Sequence, residues 1–286
     1  MKAIVCTRYG PPDVLQLKEV EKPFPKDDEV LIKVHAASVH PDVWHVVSGL
    51  PYALRLMGAG LLKPKNCIPG TDVAGHVESV GKNVTQFQPG DEVFGESTRG
   101  HQWVNGAGGG VGAFSVQLAK AFGTEVTGVD STRKLDLVRS IGADHVIDYT
   151  QEDFTKSGER YDLIFDIPGN HSFSDCRRAL THKGTYVLIG HDHFGKAGLR
   201  WLGSLPRFFK LIVMSPFVSQ LPDLNFSMPD KKDSMAVLRE FIEAGKITPV
   251  VDRTFPLSEV PEAIRYLKEG NVQGKVVILL EQNNKT

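Results

Sequence analysis

The feature that most constrains the fold is a glycine-rich run in the middle of the chain, NGAGGGVG at residues 105–112. A segment with helical apolar spacing, 111–122, overlaps its end, and an apolar segment, 125–129, follows. Glycine lacks the Cβ that would keep a ligand away from backbone amides, and the first turn of a helix attracts anions. The pattern therefore predicts a site for the pyrophosphate of a dinucleotide, with a purely structural turn as the alternative. The predicted binding residues are Ala107, Gly108, Gly109, Gly110, Val111 and Gly112.

The residues after segment 125–129 bear on which dinucleotide is bound. Asp130 lies where an acidic side chain could accept hydrogen bonds from an adenosine ribose, which would favour NADH. Ser131, Thr132 and Arg133 follow, and hydroxyls with a guanidinium suit the 2′-phosphate of NADPH. Three phosphate-compatible residues outweigh one acid, so we expect NADPH, with NADH as the alternative. Asp130 or Ser131 could instead cap the next helix, and Arg133 could be solvated.

Strands and helices alternate from about residue 105 onward. Short apolar segments predict the strands, which are 125–129, 145–148, 161–166 and 185–189. Apolar spacing predicts helices at 111–122 and 132–141, and each stops before a glycine, Gly123 or Gly142. Alternation of this kind predicts an α/β fold with a doubly wound parallel sheet.

The first hundred residues have a different pattern, with short strands at 29–35, 75–80 and 92–94 separated by turns. This pattern predicts a mostly β, barrel-like domain. Segment 247–280 returns to strand, helix and strand, and we expect it to pack on the first domain. The expected domains are a catalytic domain at 1–100, a dinucleotide-binding domain at 101–246 and a C-terminal return to the catalytic domain at 247–286.

Charge and cysteine content restrict the function classes. The 286 residues carry a formal net charge of -1, and lysine and arginine are spread along the chain, so no basic face for nucleic acid is evident. The three cysteines, Cys6, Cys67 and Cys176, are too few for a disulfide framework and too scattered for a paired metal motif. These features favour a small-molecule partner and a reducing, cytoplasmic setting.

Segment 199–221 is the most apolar part of the chain. Arg200, Arg207 and Lys210 interrupt it, so it cannot span a bilayer. A stripe of aromatic residues and leucines is more often buried than placed on a membrane surface. We expect this segment to form a lid or a subunit contact, and the second of these would give a homodimer.

Several short runs occur in an order that is typical of one family. They are MKAIVCTRYG at 1–10, PGTDVAG at 69–75, PGD at 89–91, AGGGVG at 107–112, IGAD at 141–144 and GKVVI at 274–278. Over nearly its whole length the chain resembles the zinc-independent, quinone oxidoreductase-like branch of the medium-chain dehydrogenase/reductase superfamily. The resemblance implies a Rossmann domain and a GroES-like barrel domain. It also implies NAD(P)H-dependent hydride transfer to a quinone, an enone or a related carbonyl compound.

The same resemblance predicts that the protein holds no zinc. In zinc-dependent relatives a cysteine and a histidine of the first domain hold a catalytic metal. The matching positions here read Val39-His40-Pro41 and Gly70-Thr71-Asp72, and the chain has no four-cysteine structural cluster. His40, His45 and His76 are possible ligands, but scattered histidines are more often core or surface groups than ligands.

Without a metal, hydrogen-bond donors must polarise the carbonyl group. His40 lies where the resembled branch usually has an asparagine beside the nicotinamide, and an imidazole can donate a hydrogen bond or transfer a proton. Asp42 corresponds to an aspartate of that branch but comes one position early. Trp44 and Tyr52 could line the substrate pocket. We predict His40, Asp42 and Tyr52 as catalytic residues, with a role in packing as the alternative for each.

One segment departs from the resembled branch. Only ESTRGHQWV, residues 96–104, precedes the glycine-rich run, where the branch has a further strand, a long helix and a linker. Residues 102–104 would make a short and polar first strand for a parallel sheet. An internal deletion, or a naturally short form, would leave the barrel-like domain incomplete. The alternative function is therefore a nucleotide-binding protein with impaired catalysis, whereas single-stranded nucleic acid lacks an obvious stacking platform.

Overall fold

The computed structural model describes residues 1–96, 107–190, 201–222 and 231–280. The chain divides into two compact units. The first unit contains residues 1–102, 251–271 and 275–286, and the second contains residues 103–250 and 272–274. The predicted strand at 102–104 lies outside the described residues. So do residues 97–104 of the short segment that precedes the glycine-rich run.

The helices and strands are numbered along the whole chain. The strands are β1 (Lys2–Cys6), β2 (Leu15–Glu19), β3 (Val30–Val39), β4 (Asp72–Val80), β5 (Glu92–Glu96), β6 (Thr127–Asp130), β7 (His145–Asp148), β8 (Tyr161–Asp166), β9 (Leu180–Leu188), β10 (Val251–Pro256) and β11 (Lys275–Leu279). The helices are α1 (Pro41–Ser48), α2 (Tyr52–Leu54), α3 (Gly112–Ala121), α4 (Leu135–Ser140), α5 (Phe173–Arg178), α6 (Leu205–Met214), α7 (Lys231–Glu243) and α8 (Val260–Lys268).

An open five-stranded sheet is the main feature of the first unit. Its order is β10-β11-β3-β4-β5, in which β10 and β11 are parallel and the other neighbours are antiparallel. β1 and β2 form a separate antiparallel pair. The prediction of a mostly β, incomplete barrel-like domain is confirmed, since the described strands leave the sheet open. β11 comes from the end of the chain and pairs Val276 with Val39 of β3.

Two helices of the first unit pack against each other and fix the end of β3. α1 begins at Pro41, whose restricted φ suits the first helical position, and it ends at Gly49 with φ 63°. α8 buries Val260, Ala263 and Ile264 on one face and contacts α1, β3 and β11. Because burial of these apolar side chains holds α1 in place, the residue between β3 and α1, His40, has a defined position.

Two pairs of parallel strands belong to the second unit, β6 with β7 and β8 with β9. The strands lie where the sequence predicts them, although β9 begins at Leu180 rather than at residue 185. α3 and α4 stop before the two predicted glycines, which have φ values of 76° and 105°. The helix predicted at 132–141 starts as a 3₁₀ turn over Thr132–Lys134. Parallel strands with intervening helices confirm the predicted α/β fold.

The core around β8 and β9 includes hydrogen-bonded polar groups. Tyr186 is almost fully buried, donates a hydrogen bond to Oδ2 of Asp166 at 2.5 Å and accepts one from Nη2 of Arg207 at 2.9 Å. Burial raises the pKa of the Tyr186 hydroxyl. Arg207 lies on α6, within the apolar segment 199–221. Among the described residues, no helix is both long enough and apolar enough to cross a membrane.

Candidate functional site

The glycine-rich loop of the second unit leads directly into a helix. α3 begins at Gly112, and the described part of the loop starts at Ala107. The amide of Gly108 donates to Oδ2 of Asp130 at 2.8 Å, and the carbonyl of Gly108 accepts from the amide of Gly274 at 3.0 Å. These bonds fix the loop ahead of the first turn of α3, where backbone amides favour an anion.

Each carboxylate oxygen of Asp130 accepts an amide hydrogen bond, one from this loop and one from the residue that follows Asp130. Oδ2 accepts from Gly108, and Oδ1 accepts from the amide of Ser131 at 2.8 Å. The side chain is buried, and Nζ of Lys134 lies 4.0 Å from Oδ1. Lys134 was not among the predicted site residues, although its spacing of four residues from Asp130 indicates a contact between the two side chains. Asp130 therefore stabilises the glycine-rich loop through its hydrogen bond to Gly108.

A side chain at Gly108 would be crowded by these two neighbours. A Cβ at this position would lie 3.0 Å from Cβ of Lys134 and 3.2 Å from Oδ2 of Asp130, which is tighter than most Cβ contacts in proteins. The absence of a side chain at Gly108 thus lets Lys134 pack against the loop.

The three residues after Asp130 differ in their surroundings. Ser131 precedes the 3₁₀ turn, and its side chain makes no capping bond among the described residues, so the capping alternative has no support for this residue. Thr132 donates its hydroxyl to Oδ2 of Asp148 at 2.5 Å. Hydrogen bonds from Thr132 and Thr150 lower the pKa of the Asp148 carboxyl. The side chain of Arg133 is exposed.

This donor set fits a dinucleotide. Backbone amides at the start of α3 and the cation of Lys134 suit a pyrophosphate, whose charge they would share. An exposed guanidinium at Arg133 suits an additional phosphate group. The buried Asp130 carboxylate, by contrast, already accepts two amide hydrogen bonds.

In the first unit, His40 lies between β3 and α1 and contacts two aspartates. Its Nε2 atom lies 3.1 Å from Oγ1 of Thr71, and its Nδ1 atom lies 3.6 Å from Oδ2 of Asp42. Oδ1 of Asp72 lies 3.9 Å from Nε2. The structure therefore brings together His40 and Asp42, two of the predicted catalytic residues.

Asp72 was not among the predicted site residues. Its Oδ1 accepts a hydrogen bond from Thr71 Oγ1 at 3.1 Å, and its Oδ2 accepts one from Ser38 Oγ. Lys275 of β11 interacts electrostatically with Asp72, while burial lowers the pKa of the Lys275 ammonium group. The run PGTDVAG contains Thr71 and Asp72, but only the pairing of β3 with β4 brings them to His40.

Tyr52, the third predicted catalytic residue, stacks with a cation. The guanidinium carbon of Arg55 lies 4.7 Å from the centre of the Tyr52 ring and 4.1 Å from that of Tyr9. Arg55 also donates through Nε to the carbonyl of Gly49 at 2.8 Å. This cation–π stack defines the position of Tyr52 at the start of α2.

His45 and Trp44 lie on α1 beyond His40. Nδ1 of His45 lies 2.5 Å from the carbonyl oxygen of Leu50, so Nδ1 carries the proton. Burial lowers the pKa of this imidazole. Trp44 is buried and packs edge-on against His45. Across the described ranges, no three or more His, Cys, Asp or Glu side chains are grouped so as to hold a metal ion.

The fold and the site define the class of protein. One unit is mostly β and the other has parallel strands and a glycine-rich loop, a combination that is typical of two-unit α/β dehydrogenases. Two family models match the chain: "Alcohol dehydrogenase GroES-like domain" at residues 26–127 and "Zinc-binding dehydrogenase" at residues 141–278. The chain is 30% identical to the NADPH-dependent alkenal/one oxidoreductase of Arabidopsis thaliana, with 97% of this chain and 79% of that protein covered. It is 25% identical to human quinone oxidoreductase, with 98% of each covered.

A solved structure agrees with these matches. The quinone oxidoreductase from Coxiella burnetii aligns with a TM-score of 0.78 at 23% identity, covering 98% of this chain and 99% of the other, and shows the fold. The chain belongs to the quinone oxidoreductase-like family of medium-chain dehydrogenases/reductases. The alignment with the Arabidopsis protein runs over 343 residues, which exceeds the 286 residues of this chain. That relative therefore contains segments that this chain lacks.

Proposed function

We propose that this protein is an NADPH-dependent reductase of quinones, enones or related carbonyl compounds that works without zinc. The observation that carries the proposal is the glycine-rich loop, bonded through Gly108 to the buried Asp130 ahead of α3. Family membership supports it, because the Arabidopsis relative is named as an NADPH-dependent alkenal/one oxidoreductase. The bound dinucleotide would supply a hydride to the electrophilic carbon of the substrate.

NADPH is favoured over NADH by the surroundings of Asp130. The Asp130 carboxylate is buried and is directed to the amides of Gly108 and Ser131, which leaves it poorly accessible to ribose hydroxyls. We assign the loop residues 107–112 to the pyrophosphate, together with Lys134. Ser131, Thr132 and Arg133 would face the 2′-phosphate, with Arg133 as the main charge partner.

His40 is proposed to polarise the substrate carbonyl or to deliver a proton, and Asp42 and Tyr52 are proposed as further residues of the substrate site. Zinc independence is supported by the residues at the two metal positions of zinc-dependent relatives. Val39-His40 and Thr71 stand there, and Thr71 instead links His40 to Asp72 by hydrogen bonds. Metal analysis of the purified protein and insensitivity to a chelator would test this point.

The decisive experiment is a steady-state assay of the purified full chain. NADPH and NADH oxidation are measured against a panel of quinones and enones, with matched reactions that lack protein or substrate. We expect substrate-dependent oxidation with a higher kcat/KM for NADPH. Oxidation no faster than the protein-free reaction across the panel would overturn the proposal.

A second candidate function is dinucleotide binding without turnover. The observation in its favour is that the aligned relative is longer than this chain, so part of the substrate cleft could be missing. Calorimetric titration with NADPH separates the two functions. Binding in the absence of turnover would support the second candidate, and turnover would exclude it.

Three further assignments remain proposals. We propose residues 101–246 as the dinucleotide-binding domain, with 1–100 and 247–286 as the catalytic domain, and limited proteolysis would test these boundaries. Cytoplasmic location rests on the cysteine content, and cell fractionation would test it.

A homodimer through α6 is supported by the exposed side chains of Phe209, Ile212 and Val213, and light scattering would measure its mass.

A further inference from the structure

The hydrogen bonds around Asp72 have a fixed direction. A carboxylate accepts hydrogen bonds and donates none, so both hydroxyls that contact it must donate. Ser38 donates to Oδ2, and Thr71 donates to Oδ1 at 3.1 Å. Thr71 has only one hydroxyl proton, and this proton is directed to Asp72.

The tautomer of His40 follows from this direction. Nε2 of His40 lies 3.1 Å from Oγ1 of Thr71, whose own proton points to Asp72. Thr71 must then accept from His40, so Nε2 carries a proton in the neutral ring. The lone pair of the neutral ring is consequently on Nδ1, the atom 3.6 Å from Oδ2 of Asp42.

We propose that Asp72 is a positioning residue that acts through Thr71 to fix the Nε2–H tautomer of His40, which makes Nδ1 the proton-transferring atom. The role in proton transfer rests on the proposed reductase function. The Nδ1–H bond of the imidazolium breaks, one bond to hydrogen forms on the reduced carbonyl compound, and water restores the proton. The two electrons arrive with the hydride of the proposed reaction, and the ring returns to its Nε2–H form.

Several charged groups surround this chain of hydrogen bonds. Asp42 on α1 and Asp72 on β4 favour the imidazolium form of His40 because opposite charges attract. Lys275 on β11 partly offsets Asp72. Glu96 of β5 lies opposite Asp72 in the backbone register. Removal of the Asp72 charge should therefore shift the titration of His40 to lower pH.

Nuclear magnetic resonance of the cofactor-free protein, labelled with ¹⁵N at histidine, tests the proposal directly. Long-range ¹H–¹⁵N spectra distinguish the two neutral tautomers, and His40→Gln assigns the signal. We expect the Nε2–H form for His40. His45 is the reference in the same spectrum, because its bond to Leu50 requires the Nδ1–H form. An Nδ1–H form of His40 would overturn the proposal.

Matched variants separate the tautomer effect from structural damage. Thr71→Val removes the hydroxyl at nearly constant volume and should give a mixture of tautomers, whereas Thr71→Ser should keep the Nε2–H form. Asp72→Asn should lower the midpoint of the His40 titration, because one of the two nearby carboxylate charges is lost. An unchanged His45 signal shows that α1 is intact. A His40 signal that is the same in Thr71→Val as in the wild type would also contradict the proposal.

The kinetic readout distinguishes this inference from the proposed function. If the reductase is active, Thr71→Val should lower kcat and shift its pH profile while the KM for NADPH stays the same, and Thr71→Ser should restore both. If no turnover is found but the tautomer is as stated, the reductase proposal fails and the role of Asp72 in positioning His40 stands.

Discussion

Asp130 in the second unit and Asp72 in the first unit are both hydrogen-bond acceptors, but their shortest bonds come from different kinds of donor. Asp130 is buried and accepts from the backbone amides of Gly108 and Ser131. Asp72 is about one-third exposed and accepts from the hydroxyls of Ser38 and Thr71. Backbone donors hold a loop in one shape, whereas a hydroxyl can relay the influence of the carboxylate to a titratable ring. The hydrogen bonds of Asp130 thus hold a loop, whereas those of Asp72 lead to the imidazole on which the proposed role of Asp72 depends.

The largest expected effect comes from removal of the backbone-bonded acid. Asp130→Ala leaves one buried and one partly buried amide without this acceptor and removes the carboxylate beside Lys134. We expect the free energy of unfolding to fall by about 3 kcal/mol, measured by urea denaturation. Asp136→Ala is the matched control, because the Asp136 side chain is 99% exposed. Equal losses for the two variants would show that Asp130 does not support the loop.

The next effect concerns the residues beside that loop. Arg133→Ala should weaken NADPH binding much more than NADH binding, by about 1 to 3 kcal/mol for a lost charge-assisted contact. Isothermal titration with both dinucleotides measures the difference. Arg139→Ala on α4 serves as the control, because Arg139 pairs with the exposed Asp136 instead. Equal weakening of both dinucleotides by Arg133→Ala would show that Arg133 does not contact the 2′-phosphate.

A third acid, Asp166, combines both kinds of donor and therefore sharpens the comparison. It accepts from the amide of Gly169 at 2.8 Å and from the hydroxyl of Tyr186. Tyr186→Phe removes only the side-chain donor, so we expect a loss of about 1.5 kcal/mol in unfolding free energy. Tyr149→Phe, at an exposed position, should change it little. A Tyr186→Phe loss as small as that of the control would mean that Gly169 and Arg207 satisfy Asp166 alone.

The smallest effect should be a pH dependence of the unfolding free energy that is caused by Asp148. Like Asp72, Asp148 accepts hydrogen bonds from two hydroxyls, but among the described residues no imidazole contacts those hydroxyls. Its folded pKa lies below the ordinary 3.8, so its hydrogen bonds stabilise the fold above that pH. This contribution is lost as the pH falls through the folded pKa. Thr150→Val should therefore lower the urea midpoint at pH 7, and the difference should shrink in strongly acidic solution.

Thr254→Val on β10 is the control for that experiment, since Thr254 is exposed and distant in sequence from any of these acids. A Thr150→Val difference that stays constant from neutral to acidic pH would contradict the assigned cause of the shift.

The sequence by itself determined the features that depend only on residues close together in the chain. The glycine-rich run, the helix that it opens and the glycines after α3 and α4 are visible because backbone freedom and helix ends are local properties. The strands of the second unit follow from short apolar segments for the same reason. The family resemblance rests on such local runs as well, and the sequence match to the Arabidopsis relative confirms it.

Only the tertiary structure decided which distant residues meet. The pairing of β3 with β4 brings Thr71 and Asp72 to His40, and the pairing of β11 with β3 adds Lys275. Strand register is set by packing and by hydrogen bonds between segments that are far apart in the chain, so no local pattern encodes it. Likewise, the sequence showed an acid at Asp130 but not its direction. The structure directs Oδ2 of Asp130 to the amide of Gly108 at 2.8 Å, a contact that no local pattern predicts.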